Sequence, residues 1–260
     1  MFIINASTFK QIIEFVKDQM AQQSSLKDID LANYNLLLEI SELYETVELL
    51  IQNEIHKPIP ALSRLLFERY IYILFLNDKK QYANDRAKRY LDYREYEIQR
   101  YYEYVYRDDT NEISFSKLRS HININKNDSE YSDAFNVPNL KSTESNYRAN
   151  FTNIDNMKTN KLKWYFQTNE YKKDSVGNNV PNNLYNFKDL CDYLGFPVYY
   201  YICYKNFSSN IHASATLRES IKKRIDNDSI DKGNTQLSIS IIADCINRLY
   251  AMFKLKKRGM

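Results

Sequence analysis

Glycine and proline are scarce in this chain, with four Gly and five Pro in 260 residues. So few turn-forming residues exclude β-architectures built from many tight hairpins. They also leave little material for a phosphate-cradling loop, and neither G-x-G-x-x-G nor G-x4-G-K-[ST] occurs. The Gly-x-Ser-x-Gly nucleophile elbow is missing as well. Cysteine is limited to Cys191, Cys203 and Cys245, an odd count without zinc-ligand spacing. That pattern excludes a disulfide framework and predicts reduced core residues in a cytoplasmic protein. No apolar run approaches the roughly 18 residues of a membrane span, so no membrane partner is expected. The N-terminal Met-Phe-Ile-Ile-Asn-Ala-Ser has no basic, then long apolar, secretion signal. Charge is nearly balanced, with 36 basic and 33 acidic residues and a net +3. This balance does not announce a nucleic-acid ligand. Basic residues cluster locally, at Arg218, Lys222, Lys223 and Arg224 and again at Lys254, Lys256, Lys257 and Arg258, the last group reading as a solvated tail. Histidine is limited to His56, His121 and His212. No acidic or His partner is spaced to make a metal site, and no cofactor is expected. His56 and His121 read as surface residues.

What the chain has is aromatic and helical. Aromatics reach 14%, with 23 Tyr and 13 Phe, a composition that can fill a large core. Thr8 and Gln11 resemble a capping box ahead of Phe9, Ile12, Ile13 and Val16. A second helix is predicted over 31–55, with Leu36, Leu37, Ile40, Tyr44 and Val47 on its stripe. Pro58 and Pro60 open a third, 61–76, apolar almost all round and therefore central. Residues 80–106 form a charged, Tyr-rich helix. Helical spacing resumes over 143–172 around Phe151, Ile154, Leu162 and Trp164. The Gly/Asn/Pro stretch 174–184 reads as a loop, 187–194 as a short helix closed by Gly195 and Pro197, and 226–235 as a connector to a last helix, 237–255. Residues 108–140, rich in Asn, Asp and Ser, read as a polar surface insertion with at most a short hairpin around Ile113–Phe115 and Ile122–Ile124. The expectation is a single all-α domain over 1–260, a helical bundle carrying one long loop.

Chemistry concentrates between Tyr201 and His212. On an α-helix turning about 100° per residue, Lys205, Ser208 and Ser209, and His212 share one face. A phosphodiester can be cut without metal when one group moves the ribose 2′-hydroxyl proton and a cation steadies the phosphate. His212 is the proton shuttle in that reading, Lys205 the cation, and Asn206 and Ser208 orienting groups. The alternative is structural: His212 ends a helix, where the dipole favours imidazolium, and the serines bond backbone. Arg64 and Glu68, at i and i+4 on the apolar third helix, read either as an internal ion pair fixing register or as the support of a phosphate pocket. Aromatics of 90–106 and Trp164–Tyr165 read as packing or, alternatively, as base-stacking platforms.

Lys205-Asn206-x5-His212 resembles the R-x4-6-H motif of the HEPN superfamily of helical nucleotide-binding and ribonuclease domains. Arg64-Leu-Leu-Phe-Glu68 and Tyr204-Lys-Asn-Phe207-Ser208-Ser-Asn-Ile-His212 resemble the Arg-x-x-x-Glu and Tyr-x-x-(Leu/Phe)-Ser-x-x-x-His elements of a HEPN-like bacterial branch of unknown function. The resemblance covers roughly residues 35–215. It implies a HEPN-like homodimer acting as a metal-independent RNA endonuclease, in a toxin or phage-defence setting with an antitoxin or other partner protein. In it His212, Lys205, Asn206 and Ser208 are catalytic, and Arg64, Glu68, Tyr204 and Arg218 bind or support. The chain departs from the motif at Lys205, where Arg is expected; Lys lacks the planar fork that grips phosphate bidentately. The competing expectation is a non-catalytic helical module that binds RNA, nucleotide or a partner protein.

Overall fold

The structure is a computed structural model that describes residues 6–22, 26–106, 140–206 and 227–258. Helix α1 is Ala6–Ala21, α2 Asp28–Gln52 and α3 Ile59–Asp78. After a 3-10 turn at Lys80–Tyr82 comes α4, Ala83–Tyr106. Helix α5 is Leu140–Arg148, and strands β1 (Gln167–Lys173) and β2 (Asn179–Asn183) form an antiparallel hairpin. Helix α6 is Phe187–Tyr193, α7 the single turn Pro197–Tyr199, and a π-helix runs through Tyr200–Asn206. Helix α8 is Asn227–Arg258. The described chain is therefore predominantly helical.

Helix α3 is the hub. Pro58 and Pro60 start it, since a first turn needs no backbone donor at proline. It then buries Leu66, Phe67, Tyr70, Ile71, Ile73, Phe75 and Leu76, and packs against α2, α4, α6, α8 and the π-helix. Helix α2 opens with Asp28 and Asp30 at the positive end of its dipole and lays Leu36, Leu37, Ile40, Tyr44 and Val47 on α3 and its neighbours. Buried residues from α1 to α8 join in one cluster, with Trp164 at its aromatic centre: its ring lies 5.1 Å from Tyr72, 5.1 Å from Tyr90 and 5.6 Å from Phe75.

Several expectations are corrected. The helix expected over 143–172 ends at Arg148. Phe151, Ile154, Leu162 and Trp164 are buried from an irregular segment instead. Arg148 and Tyr147 hold that segment by donating to its carbonyls, Arg148 Nη1 to Met157 O at 2.7 Å and the Tyr147 hydroxyl to Leu162 O at 2.8 Å. Burial at near-helical spacing thus arises without a helix. The loop expected at 174–184 carries β2, because Asp174 Oδ1 accepts from the backbone of Val176 and Asn178 while Gly177 takes φ 91°, which makes a tight turn. The connector expected at 226–235 lies, from Asn227 on, inside α8; Thr235 and Ser238 are buried there, and packing overrides the cost of about 1 kcal/mol for helical Gly233. The basic residues 254–258 continue α8 rather than forming a tail. Thr8 lies within α1, which starts at Ala6, so it is not a cap. The insertion and its hairpin fall outside the described residues, apart from the end of the insertion at Leu140, where α5 begins. No described helix is long and apolar enough to cross a membrane.

Candidate functional site

The segment leading to the motif is shaped by an unusual local geometry. Helix α6 is capped by Asn186, whose side chain accepts from Asp189 N at 3.0 Å. It closes in a Schellman arrangement: Phe196 N donates to Cys191 O at 2.8 Å, Gly195 N to Asp192 O at 3.2 Å, and Gly195 takes φ 80°. The chain turns back through α7 into the π-helix. There i→i+5 hydrogen bonding replaces the α-helical pattern, and the π-form is frequent at functional sites. Lys205 and Asn206 are its last two positions. The spacing argument that put Lys205, Ser208 and His212 on one face assumed an α-helix, and that geometry does not hold as far as Asn206. Ser208, His212, Arg218 and His121 lie outside the described residues.

Two segments that carry the family-like motifs touch. The Arg64 guanidinium carbon lies 4.1 Å from the centroid of the Tyr204 ring, a cation–π contact between α3 and the π-helix. Tyr204 in turn stacks on Tyr200 (5.3 Å, 15°) and packs on Phe187 at 5.1 Å. Glu68 points elsewhere. Its Oε1 accepts from the Tyr72 hydroxyl at 2.7 Å and stands 3.6 Å from Arg69 Nη1. Arg69 Nε also meets Glu39 Oε2 at 2.5 Å, and Arg94 Nη1 meets Glu39 Oε1 at 2.5 Å. The ionic register of α3 thus runs through Glu39, Arg69 and Arg94, joining α2, α3 and α4. Burial pulls the Arg69 pKa down, but Glu39 and Glu68 outweigh it, so the guanidinium titrates above its usual value. Burial first, then the Glu68 carboxylate, pushes the Tyr72 hydroxyl well up, so it stays a donor to Glu68.

Glu68 and Tyr204 line one cavity of about 380 Å³. Its walls also include Tyr93, Tyr200, Asn186, Lys163 and Lys188. Two lysines at an aromatic cleft can bind an anion beside a planar ring, with the Glu68 carboxylate opposing them. Lys188 is held by Asp192 one turn away, while Lys163 is half-buried on the wall. These lysines and Asn186 were not singled out by the sequence; the aromatics around them offered no signal, because Tyr is abundant everywhere. Trp164 and Tyr165 are buried at 2% and 4% exposure and serve as core. Of the aromatics considered for base stacking, Tyr93 is half-buried and lies on the cavity wall.

The three thiols sit in the core, and burial pushes each of them up, Cys203 to about 12. None is a nucleophile at neutral pH. His56 is half-buried rather than a surface residue, and its Nδ1 makes no hydrogen bond among the described residues. No group of three or more His, Cys, Asp or Glu among the described residues could hold a metal ion.

Comparison with known proteins adds one match. No curated protein and no solved structure matches the chain. One family model does, over residues 31–232, a span that takes in α2 to the start of α8 and therefore Arg64, Glu68, Tyr204, Lys205 and His212. That span is most of the sequence, and the chain belongs to the family of unknown function DUF5677.

Proposed function

We propose that this protein is a HEPN-like, metal-independent RNA endonuclease. The observation that carries the reading is the contact of Arg64 with Tyr204, which joins the Arg-x-x-x-Glu helix to the start of the Tyr-x-x-Phe-Ser-x-x-x-His element. In the proposed reaction the ribose 2′-oxygen attacks the adjacent phosphorus. The O2′–P bond forms and the P–O5′ bond breaks. His212, the general acid/base, takes the 2′-hydroxyl proton and gives a proton to O5′, which releases the next nucleotide and leaves a 2′,3′-cyclic phosphate. Lys205 steadies the phosphate charge, Asn206 and Ser208 orient it, and Arg218 binds RNA backbone. Arg64 and Glu68 position the π-helix and the cavity wall. A homodimer, a cytoplasmic toxin or phage-defence role and a protein partner belong to the same proposal.

The test is incubation of purified protein with mixed RNA in EDTA. Cleavage leaving 2′,3′-cyclic ends, abolished in His212→Ala with the circular-dichroism spectrum retained, is the expected result. Cleavage by His212→Ala at the parental rate overturns it. Salt-dependent RNA binding without cleavage identifies the second reading, a non-catalytic module, which Lys205 in place of the motif Arg favours.

A further inference from the structure

Two arginines on α4, three residues apart, are buried to different ends. Arg86 is fully buried, and both of its terminal nitrogens are bonded, Nη1 donating to Phe75 O at 2.6 Å and Nη2 to Thr168 O at 2.7 Å, while its Nε makes no hydrogen bond among the described residues. Arg89 is buried to 2% exposure, yet its Nε and Nη2 make no hydrogen bond among the described residues. Its neighbours include the Phe151 ring, 5.6 Å from the guanidinium carbon, the Tyr147 hydroxyl and the charges of Arg86 and Asp85. Burial, and then the Arg86 charge, lower the Arg89 pKa to about 10, with Asp85 only partly offsetting them. Two unbonded donors on a buried guanidinium are costly unless a partner approaches them.

Something has room to. Arg89 lines a cavity of about 380 Å³ between α4, the loop after α5 and the β-hairpin. This cavity and the one at Tyr204 have no lining residue in common. Its walls are amide-rich, with Asn153, Asn169 and Asn183 among them. Asn153 (φ 55°) and Asn169 (φ 67°) are both left-handed, and Asn169 falls within a register shift between Gln167 and Tyr171 that bends β1 at the cavity. The other charges on the wall are engaged or weakly opposed. Lys88 donates to Asp92 at 2.7 Å, and Glu170 accepts from the Tyr193 hydroxyl at 2.8 Å and lies 3.5 Å from Lys79. Asp85 remains as the one wall carboxylate that acts on Arg89.

We propose that this cavity binds a small polar molecule through its oxyanion group, a carboxylate or a phosphate drawn to the Arg89 guanidinium, with the wall amides reading the rest. A guanidinium charge in a cleft of this kind attracts either group. This site is independent of the ribonuclease reading.

The experiment is thermal unfolding of the full chain titrated with inorganic phosphate and, separately, with sodium acetate, at ionic strength matched with sodium chloride. A saturable rise in Tm with one probe and not with chloride is expected, and the probe with the tighter midpoint names the anion. Arg89→Met should fold with a ligand-free Tm equal to or above the parent and show no rise. Asn169→Gly, which suits the left-handed backbone, should fold and need at least threefold more anion to reach its midpoint. The proposal is overturned if neither probe gives a saturable rise, if Arg89→Met keeps the rise, if its ligand-free Tm falls below the parent's, or if Asn169→Gly binds like the parent.

Discussion

Replacing Arg86 by Met tests whether the buried guanidinium holds the hairpin to the helical core. Arg86 has no exposed surface and stands where three elements meet: Phe75 O in the last turn of α3, Thr168 O on β1, and the Tyr193 hydroxyl of α6 at 3.4 Å. Its Nη1 also lies 3.7 Å from Asp78 Oδ2, and its guanidinium carbon lies 4.1 Å from the Phe75 ring centroid. Met keeps the apolar stem and removes the guanidinium, so the loss is dominated by the donors. Two buried carbonyls lose their partner, at roughly 1–3 kcal/mol each. A cation at the carbonyl end of α3 is lost as well, at roughly 0.3–1 kcal/mol. The Asp78 side chain is 30% exposed and shares the Tyr193 hydroxyl, 2.8 Å away, with Glu170, so water and that hydroxyl keep its carboxylate from being stranded. The expected destabilisation is about 3–5 kcal/mol, the range for breaking a buried charged network. Urea unfolding followed by the fluorescence of Trp164, whose ring packs on Phe75, reads it directly. A loss below about 1 kcal/mol would refute the reasoning, because carbonyls that tolerate losing their donor were not dependent on it.

Other consequences are smaller. A double-mutant cycle with Arg64→Met and Tyr204→Leu should give a coupling of about 0.5–2 kcal/mol from the cation–π contact, and a coupling indistinguishable from zero removes that contact from the argument. The cysteines should resist labelling by a disulfide reagent at pH 8 until the protein unfolds, since burial holds all three as thiols; rapid labelling of even one native thiol contradicts this. Stability should fall above pH 10. Burial raises Tyr90 and Tyr93 to about 12, so between pH 10 and 12 the unfolded chain ionises first, and each such tyrosine removes up to about 1.4 kcal/mol per pH unit. Melting curves from pH 8 to 12 check it, and a flat Tm across pH 10–12 contradicts the burial.

The helical skeleton was legible because its signals are local. The apolar positions of α2 and α3 recur at helical spacing, the prolines sit where a first turn accepts them, and Gly195 takes the left-handed conformation that closes α6. The hairpin was missed for the converse reason: Gln167–Lys173 is polar at every position but Tyr171, and its pairing with Asn179–Asn183 is set by the turn at Asp174–Gly177 rather than by an alternating apolar pattern. The motif residues Arg64, Glu68 and Tyr204 could be picked out by type and spacing. Their mutual arrangement could not, since α3 offers Glu68 three partners at helical reach, Arg64, Arg69 and Tyr72, and the π-helix draws Arg64 to Tyr204 while Glu68 stays with Tyr72 and Arg69.

What the sequence determined by itself is therefore what depends on neighbours along the chain: helix periods, starts and stops, the buried character of the thiols, and the residue types able to move a proton or steady a phosphate. Tertiary structure decided the rest. It put a π-helix where an α-helix was expected, drew α8 ten residues toward its N-terminus, and buried two arginines on one helix, one satisfied by carbonyls of α3 and β1 and the other facing a cavity. Those outcomes turn on whether a distant carbonyl, ring or carboxylate arrives at a given side chain. Burial makes each arrival worth several kcal/mol, and chain spacing carries no record of it.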